Sequence, residues 1–171
     1  DGATGAEILP DRIILHLVDG ARGDSDLIVN GTIVDPGAPA VFLTGGNVTA
    51  AIERGRLILR GDDVDNNVIV EQIARQTYRI TGRNGTTING ALDATTFASV
   101  RRGIQAFLND GNDLIEYTFG TGVVSRSGAT FNTGNGADTV LVTGVRSRSK
   151  TVIETGAGND TVRITDAALD G

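Results

Sequence analysis

Cysteine, methionine and tryptophan are absent from this 171-residue sequence, and lysine and histidine occur once each. Without cysteine the chain forms no disulfide, no thiolate zinc site, no iron–sulfur cluster and no cysteine nucleophile. With one histidine, a histidine-rich metal site is excluded, and any Ser–His–Asp arrangement would have to use His16. His16 alternates with Leu15 and Leu17, which favours an outward strand residue over a catalytic one.

Three further shortages narrow the possible functions. Aromatic residues make up 4% of the sequence, and sugar-processing clefts depend on aromatic platforms, so no enzyme activity and no catalytic residue is predicted. A carbohydrate-active β-helix stays an alternative. The net charge is −6 and no basic face is evident, so nucleic acid is not an expected partner. No apolar run approaches 18 residues, so no membrane span is expected.

The abundant residues favour strands and turns. Thr, Val and Ile number 20, 16 and 15, and these residue types prefer strands. Gly, Asp and Asn number 24, 16 and 11, and they prefer turns. The composition therefore predicts an all-β chain that turns often. The helical spacing of apolar residues within 93–108 leaves a short helix as an alternative to irregular β structure there.

Three segments repeat one pattern, a Gly/Asn/Asp turn that ends in Asp and is followed by an aliphatic run. They are residues 108–116, 133–141 and 155–163, and their Asp residues are Asp113, Asp138 and Asp160, spaced by 25 and 22. Weaker copies of the pattern open at Asp26, Asn47, Asn67 and Gly85. A unit of 20 to 25 residues with short strands cannot bury its apolar face alone but can do so when stacked on its neighbours.

The spacing predicts a parallel β-solenoid of roughly seven rungs, with a β-sandwich as the alternative. Charge divides the chain, because residues 1–40 carry a net charge of −5 and residues 41–171 carry −1. We expect residues 1–40 to form an acidic calcium-loop lobe or the first rungs, and residues 41–171 to form the repeat solenoid.

The three C-terminal segments resemble the repeats-in-toxin nonapeptide, Gly-Gly-x-Gly-x-Asp-x-(aliphatic)-x. Residues 133–141 and 155–163 match except that Thr replaces the first Gly, and residues 108–116 also have Asn109 for the second. The resemblance implies that Asp113, Asp138 and Asp160 supply carboxylate ligands to calcium, as a cation that takes six to eight oxygens requires. The segments depart from the family because they occur once per 22 to 25 residues and not in tandem. Asp and Asn that fix turns without metal are the alternative.

The N-terminal part carries a second resemblance. Residues 17–37 contain an Asp-Gly-x-x-Gly-Asp-x-Asp turn followed by Asn-Gly-x-Ile-x-Asp-Pro-Gly, and this looks like the end of the choice-of-anchor U domain of bacterial surface proteins. Close carboxylates repel one another unless a cation or solvent separates them. The acidic loop is therefore a second candidate calcium site, with the ligands Asp19, Asp24, Asp26, Asn30 and Asp35.

Together these patterns predict a structural module of an extracellular or cell-surface protein, stabilised by calcium, that self-associates into a fibre or matrix. Arg146, Arg148 and Lys150 form a basic stripe, and with the acidic N-terminal lobe it predicts head-to-tail association between copies. A monomeric adhesion module that binds a glycan or a cell surface is the alternative.

Overall fold

The computed structural model describes residues 45–169 and the backbone of four short strands before them. The chain divides into two compact units, Asp1–Val41 and Phe42–Gly171. In the first unit, β1 (Ala6–Leu9) pairs antiparallel with β2 (Arg12–Leu15), and β3 (Leu27–Val29) pairs antiparallel with β4 (Thr32–Val34).

The second unit consists of strands and turns, and the described residues contain no helix. Its strands are β5 (Asn47–Glu53), β6 (Arg56–Arg60), β7 (Asn67–Ala74), β8 (Thr77–Gly82), β9 (Thr87–Ile88), β10 (Thr95–Phe97), β11 (Ile104–Phe107), β12 (Leu114–Phe119), β13 (Ala129–Asn132), β14 (Thr139–Thr143), β15 (Arg146–Ser147), β16 (Thr151–Glu154), β17 (Thr161–Thr165) and β18 (Ala168–Leu169). The all-β prediction is confirmed. The stretch 93–108 holds β10 and β11, so the helical alternative there is wrong. The described residues also contain no helix long and apolar enough to cross a membrane.

Two six-stranded mixed sheets enclose one apolar core. Their strand orders are β10-β8-β7-β12-β14-β17 and β16-β13-β11-β6-β5-β9. Within them, β6, β11, β13 and β16 pair in parallel without a register shift, and so do β7, β12, β14 and β17. Four strand–turn–strand units therefore lie in register, each contributing one strand to either sheet.

Register places the buried side chains in columns. Val68, Ile115 and Val140 occupy one column, and each is at most 1% exposed. In the facing sheet Leu59, Ala106 and Phe131 form another buried column. Inward and outward residues alternate along these strands, as the two-residue period of a strand requires. Valine and isoleucine, which made the sequence strand-prone, thus fill the core together with leucine, alanine and aromatic residues.

The expectation of parallel rungs throughout the chain is not met, because the pairing is mixed. β5 pairs antiparallel with β6 through a two-residue turn in which Arg54 and Gly55 both have positive φ, and β8 pairs antiparallel with β7 and β10. A tight turn reverses the chain direction, so the two strands that it joins pair antiparallel and cannot be successive parallel rungs. The strand that opens at Asn47 therefore belongs to a hairpin.

Candidate functional site

The candidate site is the row of four six-residue turns that join the two sheets. The turns span residues 61–66, 108–113, 133–138 and 155–160, and the parallel register of the flanking strands stacks them one on the next. Backbone hydrogen bonds continue through the turns, for example from Gly111 N–H to the Asn135 carbonyl and from Gly136 N–H to the Ala157 carbonyl. The stack is thus a bonded edge of the fold.

Glycine spacing in these turns follows from their backbone. Gly134 has φ of +95° and Gly136 has φ of +146°, conformations that L side chains rarely adopt. A Cβ on Gly136 would also overlap the Gly111 carbonyl oxygen of the preceding turn. Asn109 takes the first of these positions in its own turn with φ of +73°, which Asn tolerates better than most residues. The Gly-x-Gly spacing therefore has a steric cause that is independent of metal.

A ladder of side chains fixes the last position of each turn. The backbone N–H of Asn66 donates to Asp113 Oδ1 at 2.8 Å, that of Asp113 donates to Asp138 Oδ1 at 2.8 Å, and that of Asp138 donates to Asp160 Oδ1 at 3.0 Å. Each carboxylate thereby satisfies a backbone donor of the preceding turn. The structure thus brings together Asp113, Asp138 and Asp160, the three C-terminal residues predicted as ligands.

A second ladder runs in the opposite direction at the neighbouring position. Asp65 Oδ1 accepts from the Asn112 N–H at 2.7 Å, and Asn112 Oδ1 accepts from the Ala137 N–H at 2.8 Å. Here each side chain serves the following turn and not the preceding one. Together the two ladders tie every adjacent pair among the first three turns in both directions.

Burial makes the Asp ladder electrostatically costly. Asp113 and Asp138 are each 1% exposed, and their Oδ2 atoms have no hydrogen-bond partner. The pKa of Asp113 is raised to about 7, chiefly by burial: the hydrogen bond from the Asn66 N–H lowers it, and the negative charges of Asp138, Asp65 and Asp62 add to the rise. A bound cation or a retained proton would offset this cost.

The orphaned oxygens fit calcium in one respect. Carboxylate Oδ2 atoms of Asp113 and Asp138 and turn carbonyls are hard oxygen donors of the kind calcium takes. Within residues 45–169, however, no three acidic or histidine side chains converge as a metal-binding group. Calcium here would therefore draw on one carboxylate oxygen per turn and on backbone carbonyls for the rest.

The second predicted calcium site lies outside the described residues. Its five ligands are Asp19, Asp24, Asp26, Asn30 and Asp35.

Scans against protein-family models, curated proteins and solved structures found no match to this chain. The resemblances to the repeats-in-toxin and choice-of-anchor U motifs therefore stay predictions that rest on the residues quoted for them.

Sequence reasoning found only a weak copy of the pattern at Asn67 and did not identify the turn before it, the first of the row. Residues 61–66 hold Asn66 where the other turns hold Asp, and they have Asp62 and Val64 in place of the two glycines. Asn66 still anchors the turn, because its side-chain N–H donates to Asp62 Oδ1 at 2.8 Å. The signal that could have found it is the run Asn66-Asn67 directly before an alternating strand.

Proposed function

We propose that Phe42–Gly171 is a segment of parallel β-solenoid that serves as a structural module of an extracellular or cell-surface protein. In this proposal calcium stabilises the stacked turns, and the module self-associates through its C-terminal end. The four in-register strand–turn–strand units support the solenoid, and the resemblances in the sequence support the location. No chemical step is involved.

The exposed apolar face at the β16–β17 end of the stack is the observation that carries self-association. Val162 and Ile164 are 47% and 51% exposed, whereas Val140 and Val142, at the same register positions one unit earlier, are 0% exposed. Both strands at this end, β16 and β17, are also sheet edges with unpaired backbone groups. A second copy covers such a face well, because its own β16 and β17 are edge strands separated by the same distance.

The opposite end of the stack is much less suited to pairing. Its edge strands are β9 and β10, which have two and three residues, and short edge strands are a common protection against edge pairing. The geometry therefore favours the pairing of two C-terminal ends over the head-to-tail filament predicted from charge. Such pairs become a fibre or matrix when the rest of the protein supplies a second contact.

Replacing Ile164 by lysine is expected to abolish self-association, because a charge would then occupy the apolar end face. Sedimentation velocity at matched concentrations measures this. Phe107→Lys is the matched control, since Phe107 is 38% exposed but lies on β11 within a sheet. Equal loss of association in both variants, or in neither, would contradict the proposed interface.

Calcium would be held by Asp113 and Asp138, whose buried Oδ2 atoms lack partners, and by Asp160 in the last turn. When bound, it supplies positive charge that offsets the repulsion between stacked carboxylates. The chain's own residues set the spacing, since the N–H···Oδ1 ladder orients every carboxylate before any ion arrives.

Asp138→Asn separates the metal role from the structural one. The amide oxygen still accepts the Asp113 N–H, but the charge is lost, so we expect the calcium-induced rise in Tm to shrink to less than about half. In chelator the variant should melt at or slightly above the wild-type Tm, because a buried like charge has been removed. Thermal unfolding in millimolar calcium and in chelator measures both. An undiminished calcium effect would show that the ion binds elsewhere.

A further inference from the structure

The strongest remaining feature is a basic surface on the edge of the stack away from the turns. It consists of six exposed cationic side chains, and we name it the basic edge: Arg101, Arg102, Arg126, Arg146, Arg148 and Lys150. Sequence analysis singled out the stripe of Arg146, Arg148 and Lys150 but not its union with the three arginines at 101, 102 and 126, because the six residues are spread over 50 positions. The fold gathers them, since five lie in the connections that lead into β11, β13 and β16, and Arg146 lies in the short strand β15 that precedes β16.

Register gives the basic edge a regular spacing. Arg101, Arg126 and Arg148 each lie three residues before Ile104, Ala129 and Thr151, which pair with one another across β11, β13 and β16. The bridge between Ser125 and Ser147 continues this register to Arg126 and Arg148, which therefore lie about one strand spacing of 4.8 Å apart, and Arg101 has the same sequence offset before β11. Like charges in adjacent strands destabilise a sheet, and here three are repeated in line.

Acidic residues do not neutralise this row. Segments 98–107, 120–134 and 144–153 contain neither Asp nor Glu. The ion pairs among the described residues are Arg60–Glu53 at 2.6 Å, Arg79–Glu71, and Arg83–Glu116 at 3.9 Å, and none includes the basic edge. At its borders, Glu53 is thus engaged by Arg60, and Asp166 lies exposed before β18.

Two identical turns hold the arginines in place. Ser125 Oγ donates to the Ser127 carbonyl at 2.9 Å, and Ser147 Oγ donates to the Ser149 carbonyl at 2.9 Å, so each Ser-Arg-Ser turn closes on itself. Ser149 Oγ also donates to the Arg126 carbonyl at 2.9 Å and joins one turn to the next. The backbone beneath Arg126 and Arg148 is therefore ordered before any ligand binds, which lowers the entropy cost of binding.

A small cavity opens at the C-terminal end of the basic edge. Its volume is about 160 Å³, and it is lined by Val124, Arg146, Ser147, Arg148 and Ala168. This is too small for a drug-sized molecule but has room for one small group of a ligand beside Arg146 and Arg148. The row of arginines thus ends in a small cavity that is itself lined by two positively charged residues.

We propose that the basic edge binds an extended acidic polysaccharide that lies along the stack, with successive carboxylate or sulfate groups meeting Arg101, Arg126 and Arg148. Arginine suits these groups because its planar fork binds carboxylate and sulfate oxygens in pairs. Single-stranded nucleic acid is disfavoured, since segments 98–106, 120–130 and 144–153 present no aromatic residue on which bases could stack. The binding requires neither self-association nor calcium.

The test uses the full chain and two probes, polygalacturonate for carboxylates and heparin for sulfates, in isothermal titration calorimetry. We expect Arg126→Gln/Arg148→Gln to weaken binding by about tenfold or more, with a steep loss of wild-type affinity between about 50 and 200 mM salt. The control is Arg79→Gln/Arg83→Gln, which removes the same charge from β8 and its adjoining turn, and it should change the affinity by less than about twofold. Melting curves confirm that both variants are folded.

Further probes decide whether the ligand is an acidic polysaccharide. Galacturonic acid monomer should bind at least about a hundredfold more weakly than the polymer, because contacts linked along one chain reinforce one another. Neutral dextran should not bind. Equal binding by monomer and polymer, equal effects of the two double variants, or tighter binding of single-stranded DNA than of both polysaccharides would each overturn the proposal. The preferred probe of the two identifies the anionic group.

Discussion

Gly136→Ala is expected to destabilise the protein by about 3 to 5 kcal/mol, enough to unfold a domain of ordinary stability. Two costs add at this position. The backbone has φ of +146°, which is a region used almost exclusively by glycine, and a Cβ would overlap the Gly111 carbonyl oxygen of the turn beneath. Urea denaturation followed by circular dichroism measures the change.

Gly144→Ala provides the matched control for this expectation. Gly144 also has a positive φ, +64°, but no atom lies within 4 Å of where its Cβ would stand. Its backbone lies in the left-handed region that other residues reach at a cost of about 1 to 2 kcal/mol. A cost for Gly136→Ala no larger than for Gly144→Ala would mean that the turns do not touch as described.

The free energy of unfolding in chelator is expected to fall as the pH rises from about 4 to about 7. Burial raises the pKa of Asp113 from 3.8 to about 7, so over this interval the folded state keeps a proton that the unfolded state has released. The stabilisation is complete below the unfolded pKa and is lost as the pH passes the folded pKa. One pKa unit corresponds to about 1.4 kcal/mol, so the fall is at most about 4 kcal/mol.

Asp113→Asn is expected to remove most of this pH dependence. The amide cannot titrate, and the same column already holds Asn66 in the first turn. Asp63→Asn is the control, because Asp63 is exposed and its loss changes the net charge equally. The proposed calcium site predicts that calcium reverses the slope, since a metal ion binds the ionised form of a carboxylate. Chemical denaturation at several pH values checks these expectations, and identical slopes for wild type and Asp113→Asn in chelator would contradict them.

Much of the fold could be predicted because strand propensity and turn chemistry are local properties. The three turns at 108–113, 133–138 and 155–160 were visible in the sequence, since a positive φ requires Gly or Asn at fixed offsets and a strand requires aliphatic residues after them. The stacking of Asp113 on Asp138 follows from the same repeat. The repeat spacing predicted roughly seven parallel rungs, whereas the described residues contain four strand–turn–strand units that pair in parallel.

Pairing direction and surface charge could not be predicted, because they depend on contacts between distant residues. Arg54-Gly55 closes a hairpin, although the repeat pattern predicted a weak copy of the parallel unit that opens at Asn47. The Asn66 N–H, 47 residues away, occupies one carboxylate oxygen of Asp113 and leaves the other, Oδ2, without a partner. In the same way, Arg101 and Arg148 come to lie in one row only because β11, β13 and β16 pair side by side.

The mass in solution tests the central claim most directly. Light scattering after gel filtration should be recorded once in millimolar calcium and once in chelator. A structural module that associates through its open end, stiffened by calcium at the last turns, predicts about twice the 17.7 kDa chain mass or more in calcium and a smaller mass in chelator. A mass of 17.7 kDa in both buffers would contradict self-association, and the same large mass in both would contradict the part assigned to calcium.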